Sequence, residues 1–180
     1  MDLVEKILAL HHALAAASIP HAFGGALALA WCTSSARGTI DIDMNVFAGR
    51  DAIRRVLQCL PQGVTWSDTD VQRLEVDLQH RVWWESTPID LFFNSTDFHE
   101  QLLSRIRPER FAGHSLPFLC CRDIAVFKVF FDRTKDWADL EAMRDAGTLD
   151  IDFVEGIISH YLGADDPRLG RLRSLAARAM

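Results

Sequence analysis

Residues 39–47 read Thr39-Ile40-Asp41-Ile42-Asp43-Met44-Asn45-Val46-Phe47. Apolar and polar residues alternate with a period of two, which is the signature of a half-buried β-strand. Ile40, Ile42, Met44 and Val46 take one face; Asp41, Asp43 and Asn45 take the other. Carboxylates one strand repeat apart lie only ~7 Å from each other. They repel unless solvated, protonated or bridged by a cation. Oxygen donors of this kind suit Mg²⁺, which binds through one or two protein carboxylates together with phosphate oxygens.

Gly24-Gly25 lies upstream, between a short strand expected at residues 21–23 and a run of strong helix formers at 26–31. A strand–Gly-Gly–helix order aims free helix N–H groups at whatever sits above the glycines, as phosphate-binding sites require. Downstream, Ile89-Asp90-Leu91-Phe92-Phe93 is a further strand with one aspartate inside an apolar run. A carboxylate there costs several kcal/mol if buried ionised and alone, so it needs an arginine, a hydrogen-bond network or a metal. If its strand lies beside the Asp41/Asp43 strand, three carboxylates converge. They can then hold two divalent ions for an in-line displacement at phosphorus.

The remaining elements follow from periodicity. Helices are expected over 2–17, with Asp2 as cap, and over 51–60, 98–107, 123–144 (with a break near Thr134), 150–162 and 167–179. Two strands are expected near 74–78 and 81–85, and residues 116–119 read as extended. The pattern is a small mixed sheet followed by a helical half, an α+β fold. It divides into residues 1–97, carrying the sheet, and 98–180, a helical region packed on it as one unit.

Composition sets bounds. At 180 residues with 49% hydrophobic and 24% charged residues, this is an ordinary globular chain. The net charge of -6 gives no general affinity for nucleic acid, so such a partner would need a local basic patch. Arg168, Arg171, Arg173 and Arg178 on the last helix are the one place to look for it. The four cysteines lack zinc-site spacing, and Cys120-Cys121 reads as two buried small residues rather than a disulfide. No run spans a bilayer, and Asp2 and Glu5 spoil any signal-peptide start, so a reducing cytoplasm is the default. Only three of the 19 basic residues are lysines: Lys6, Lys128 and Lys135.

Two of those lysines belong to a second block, Asp123-Ile124-Ala125-Val126-Phe127-Lys128 and then Arg133-Thr134-Lys135-Asp136, with Asp139-Leu140 following. Lys128, Asp132, Lys135, Asp136 and Asp139 recur at steps of three and four. They read as one polar helix stripe, with Phe127, Phe131 and Ala138 on the opposite side. Such a stripe could bind a triphosphate or serve only as surface ion pairs.

Gly24-Gly25, Arg37-x-Thr39-x-Asp41-x-Asp43, Ile89-Asp90-Leu91 and this second block together resemble the DNA polymerase β-like nucleotidyltransferase superfamily. The likeness is to its small prokaryotic members: minimal nucleotidyltransferases and type IV toxin–antitoxin nucleotidyltransferases. The resemblance implies a fold and an activity: transfer of an NMP from an NTP to an acceptor hydroxyl, with two Mg²⁺ ions. It implies Asp41, Asp43 and Asp90 as metal ligands and catalytic carboxylates. Gly24, Gly25, Arg37, Thr39, Lys128, Arg133 and Lys135 would bind nucleotide, with Asp136 and Asp139 as a secondary polar set. Small molecules, proteins and tRNA ends are all acceptors of the resembled families. The alternative is a toxin–antitoxin component or nucleotide-binding module that acts through a cognate protein partner without turnover.

Overall fold

A computed structural model describes residues 1–36 and 38–177. Arg37 and Arg178, both singled out above, lie outside the described residues. By its contacts the chain divides into two compact units, one of residues 1–27 and 38–119, the other of residues 28–37 and 120–180.

The first unit holds a seven-stranded mixed sheet. Its strands are β1 (His21–Phe23), β2 (Ile42–Val46), β3 (Val64–Thr65), β4 (Gln79–Trp84), β5 (Thr87–Phe93), β6 (Arg107–Phe111) and β7 (His114–Phe118). They run in the order β3-β4-β5-β2-β1-β7-β6. The β2–β5 and β1–β7 pairs are parallel and the rest antiparallel. Ile42, Met44 and Val46 of β2 and Ile89, Leu91 and Phe93 of β5 are all buried, the alternation expected of strands with one core face. Ile40 does not join them. The strand begins at Ile42, and Ile40 is 80% exposed.

Helix α1 (Leu3–Ala16) is fixed at its start by a capping box between Asp2 and Glu5, and it buries Ile7, Leu10 and Leu14. Helix α2 (Gly25–Thr33) starts directly on the glycine pair, and α3 (Ile53–Cys59) buries Ile53, Val56 and Leu57. The strand expected at 74–78 is instead part of helix α4 (Asp68–Asp77). A Ser67/Asp70 capping box starts that helix, Val71 and Leu74 form its buried stripe, and Leu78 ends it in the left-handed region. Helix α5 (Asp97–Leu102) follows β5, capped by Thr96. Beyond it the chain does not stay helical, because residues 107–118 form the β6–β7 hairpin. Ala112 and Gly113 make its two-residue turn, both at positive φ. Pro108 and Pro117 stand opposite each other in that hairpin; proline reads as a strand breaker in sequence, which hides it.

The second unit is helical: α6 (Cys121–Phe131), α7 (Thr134–Asp145), α8 (Ile151–Leu162) and α9 (Pro167–Ala177), with the C-terminal part of α2. Cys121 at the start of α6 is joined to Cys32 of α2 by a disulfide, with the two Cα atoms 5.4 Å apart. This corrects the reading of the cysteines as reduced residues; Cys120 does stay a thiol, donating to Asp123 Oδ2 at 2.9 Å. Burial, with Asp123 beside it, pushes the Cys120 pKa up. Among the described residues, no helix is long and apolar enough to cross a membrane.

Candidate active site

The site is assembled on the sheet face opposite the core residues of β2 and β5. Asp43 and Asp90 are direct partners across the parallel β2–β5 ladder, so both carboxylates leave the same face from adjacent strands. Asp41 precedes the first residue of β2, and Thr39 Oγ1 donates to its Oδ1.

The glycine pair fits against this cluster. Gly24 N–H donates to the Asp43 carbonyl at 2.9 Å. Gly25 has φ +52°, and a Cβ built there would lie 1.7 Å from Asp43 Oδ2. Only a residue without a side chain lets the start of α2 close over the Asp43 carboxylate. Asn45 follows one repeat further along β2. It is 3% exposed, and its Oδ1 has no hydrogen-bond partner among the described residues.

The sequence reading missed Arg81. It stands opposite Asp90 in the antiparallel β4–β5 ladder. Its Nε donates to Asp90 Oδ1 at 2.7 Å and its Nη2 to Oδ2 at 2.6 Å, a two-pronged fork. The hydrogen bonds to Asp90 raise the guanidinium pKa above its usual value, and the negative charges of Asp90, Asp41 and Asp43 act in the same direction. The guanidinium also sits 5.9 Å from the centroid of the exposed Trp83 ring. A two-residue turn at Glu85-Ser86 would have placed Arg81 opposite Asp90, since Trp84 pairs with Thr87. The strand expected to run to residue 85 puts the turn at Ser86-Thr87-Pro88 instead and loses that register.

The turn is held by Lys6, the lysine for which sequence offered no role. Its buried Nζ donates to Trp84 O at 3.1 Å and Thr87 Oγ1 at 2.9 Å, and pairs with Glu85 Oε2 at 2.9 Å. The Lys6 bond and charge hold the Glu85 carboxyl below its ordinary range.

Asp41, Asp43 and Asp90 are hard oxygen donors, the chemistry that suits a divalent cation such as Mg²⁺. As the side chains stand, no three acidic, His or Cys residues among those described converge closely enough to hold an ion. Asp90 is turned onto Arg81 instead.

The second block forms a separate cluster in the helical unit. The expected single stripe is divided, because Asp132 turns the chain at φ +53° between α6 and α7. Packing of these two helices turns the expected polarity around. Lys128, Asp136 and Asp139 are buried, whereas Phe131 and Ala138 are exposed. Lys128 Nζ lies 3.2 Å from Asp136 Oδ1 and 2.6 Å from Asp139 Oδ2, and Arg133 Nε donates to Asp136 Oδ2 at 2.6 Å. Burial alone would raise the Asp136 pKa. Arg133 and Lys128 overcome it and hold that carboxyl below its usual range. Lys135 is exposed. The arginines of α9 are locally neutralised. Arg168 and Arg171 approach Asp132 at 3.5 Å, and Arg173 pairs with Glu155.

Neither a protein-family model nor a curated protein matches the sequence. Solved structures do match the fold. The antibiotic-resistance factor ANT(2'')-Ia aligns over 98% of this chain and 94% of its own, with a TM-score of 0.58 at 16% identity. The chain has a nucleotidyltransferase fold. The lincosamide antibiotic adenylyltransferase LnuA, solved with lincomycin bound, shares this nucleotidyltransferase fold over 79% of this chain and 96% of its own. Its TM-score is 0.55 at 12% identity. At such identities the likeness is one of fold, and any activity has to be argued from the site.

Proposed function

We propose that this protein is a Mg²⁺-dependent nucleotidyltransferase that moves an NMP from an NTP onto a hydroxyl of a small acceptor. One observation carries the reading: Asp43 and Asp90 stand in register on adjacent strands, with the Gly25 backbone against the Asp43 carboxylate. Two carboxylates on adjacent strands beside a helix N-terminus support the binding of a metal-bound triphosphate.

Asp41, Asp43 and Asp90 would hold the ions, which supply charge neutralisation and a more acidic acceptor hydroxyl. Gly24 and Gly25 let phosphate oxygens approach the backbone. Thr39 orients Asp41. The acceptor oxygen forms a bond to the α-phosphorus while the α–β bridging bond breaks. Pyrophosphate leaves with the electron pair, and Asp90 takes the hydroxyl proton. The rate then rests on positioning and preorganised charge. At Lys128 a phosphate would compete with Asp136 and Asp139. A small acceptor is supported by the two antibiotic-related proteins that share the fold.

A second reading is a nucleotide- or partner-binding module without turnover, such as a toxin–antitoxin component. The Arg81 fork favours it, since it occupies both oxygens of the carboxylate that turnover would need.

Isothermal titration of a non-hydrolysable NTP with Mg²⁺, on the wild type and on Asp41→Asn/Asp43→Asn, tests the site. Binding lost only in the variant supports the reading; equal binding in both, or none in either, overturns it. Labelled NTPs incubated with a panel of hydroxylated small molecules separate turnover from binding alone.

A further inference from the structure

The Arg81–Asp90 fork has a role that the proposed reaction leaves unassigned. Asp43 and Asp90 share one sheet face, and Arg81 is a cation bound there through Asp90. Its side chain is 45% exposed, whereas that of Asp90 is 20% exposed. The guanidinium therefore has solvent on one side and can leave without unpacking the core. An exposed ion pair of this kind contributes little net free energy, so a divalent ion can displace it. Once displaced, the guanidinium stays tethered to β4, directly across the ladder from Asp90. It remains within side-chain reach of anything bound there, and its planar fork matches phosphate as well as carboxylate.

We propose that Arg81 is an exchange latch: it occupies Asp90 in the metal-free protein and transfers to the nucleotide phosphates when a divalent ion takes the carboxylate. This rests on the nucleotidyltransferase reading. It makes Arg81 a positioning residue that acts through Asp90 and sets the order of events. A metal or nucleotide that arrives alone meets a closed Asp90 or an unavailable guanidinium. The metal–nucleotide pair satisfies both at once.

The exchange has a signature that a merely structural arginine lacks. Replacing Arg81 removes a competitor for the metal and a partner for the phosphate, so the two affinities move in opposite directions. The experiment uses the full chain as wild type, Arg81→Met and Arg81→Lys, with folding checked by circular dichroism. Mn²⁺ binding without nucleotide is read from the electron paramagnetic resonance signal of the free ion. Binding of a non-hydrolysable NTP is then measured at saturating Mn²⁺.

Arg81→Met is expected to bind Mn²⁺ about tenfold more tightly and nucleotide about tenfold more weakly. Arg81→Lys should lie between the two on both scales. If the wild type binds Mn²⁺ and nucleotide but the two affinities of Arg81→Met fall together, or either is unchanged, the latch is overturned and the nucleotidyltransferase reading stands. If neither protein binds Mn²⁺ or nucleotide, both are overturned.

Discussion

The Cα of Gly25 lies so close to the Asp43 carboxylate that a methyl group added there would stand 1.7 Å from Oδ2. The first turn of α2 and the second aspartate of the Asp-x-Asp pair are thus one structural unit. Gly25→Ala faces the steric cost of its positive φ, about 1–2 kcal/mol for a residue with a side chain, and it must also push Asp43 aside. The expected outcome is a folded protein, modestly destabilised, that loses Mg²⁺–nucleotide binding by tenfold or more. Gly24→Ala is the sterically milder change, with its Cβ 3.0 Å from Asn45 Nδ2 and no positive φ to strain it, and should cost less stability than Gly25→Ala. Equal nucleotide affinity in Gly25→Ala and the wild type would show that the glycine serves only the turn.

Lys6 makes a second, less visible contribution to the site. Its ammonium ties the Trp84–Thr87 turn, and this turn sets the register that brings Arg81 opposite Asp90. Lys6→Met strips a buried carbonyl and a hydroxyl of their charged donor, a loss of about 2–3 kcal/mol. Urea unfolding of the variant should show that decrease with an unchanged m-value. A midpoint shift below about 0.5 kcal/mol would mean that the turn holds its register without the lysine.

How much of this is legible in the sequence depends on how local the information is. Asp41, Asp43, Asp90 and the glycines are found because alternation and glycine chemistry are written in adjacent residues. Arg81 is missed because its meaning lies in the pairing of two strands, and a misplaced turn removes it. The β6–β7 hairpin is hidden by prolines, and the end of α4 by the alternation Leu74-Glu75-Val76-Asp77-Leu78, which reads as strand. The Lys128 stripe shows a different failure. Steps of three and four assume one continuous helix, but the break at Asp132 folds α7 against α6, burying Lys128, Asp136 and Asp139 and leaving Asp132 and Lys135 exposed. The Cys32–Cys121 disulfide spans 89 residues and leaves no local trace.

That buried network predicts a specific non-additivity. Lys128 faces both Asp136 and Asp139. Lys128→Met leaves Asp136 to Arg133 and takes from Asp139 its 2.6 Å ammonium partner. Breaking such a pair from one side costs about 3–5 kcal/mol, more than removing both charges together. Adding Asp139→Leu to Lys128→Met should therefore recover part of the lost stability. A double-mutant cycle by denaturant unfolding reads this directly. Strict additivity of the two single changes would dismiss the network as a stabilising unit.

Acid sensitivity should be traceable to His99. Burial lowers its pKa from 6.5 to about 4, while its Nδ1 lies 2.9 Å from Ser95 Oγ and 3.2 Å from Thr96 Oγ1 at the start of α5. The folded state thus keeps the ring neutral where the unfolded chain takes up a proton. Above pH 6.5 both states are neutral and the residue contributes no pH dependence. Between 6.5 and 4 the unfolded state binds the extra proton, so folding free energy falls as the pH falls. The loss is complete near pH 4, where the folded protein protonates as well. Across that window the unfolded state gains about 3 kcal/mol from the proton. His11 and His21, whose pKa values are also lowered first by burial, add to the slope in the same direction. Urea unfolding of the wild type and His99→Gln at half-unit steps from pH 7.5 to 4 is the test. The variant should start less stable and converge on the wild type as the pH drops. Parallel curves would remove His99 as the source and leave the slope to the other two histidines.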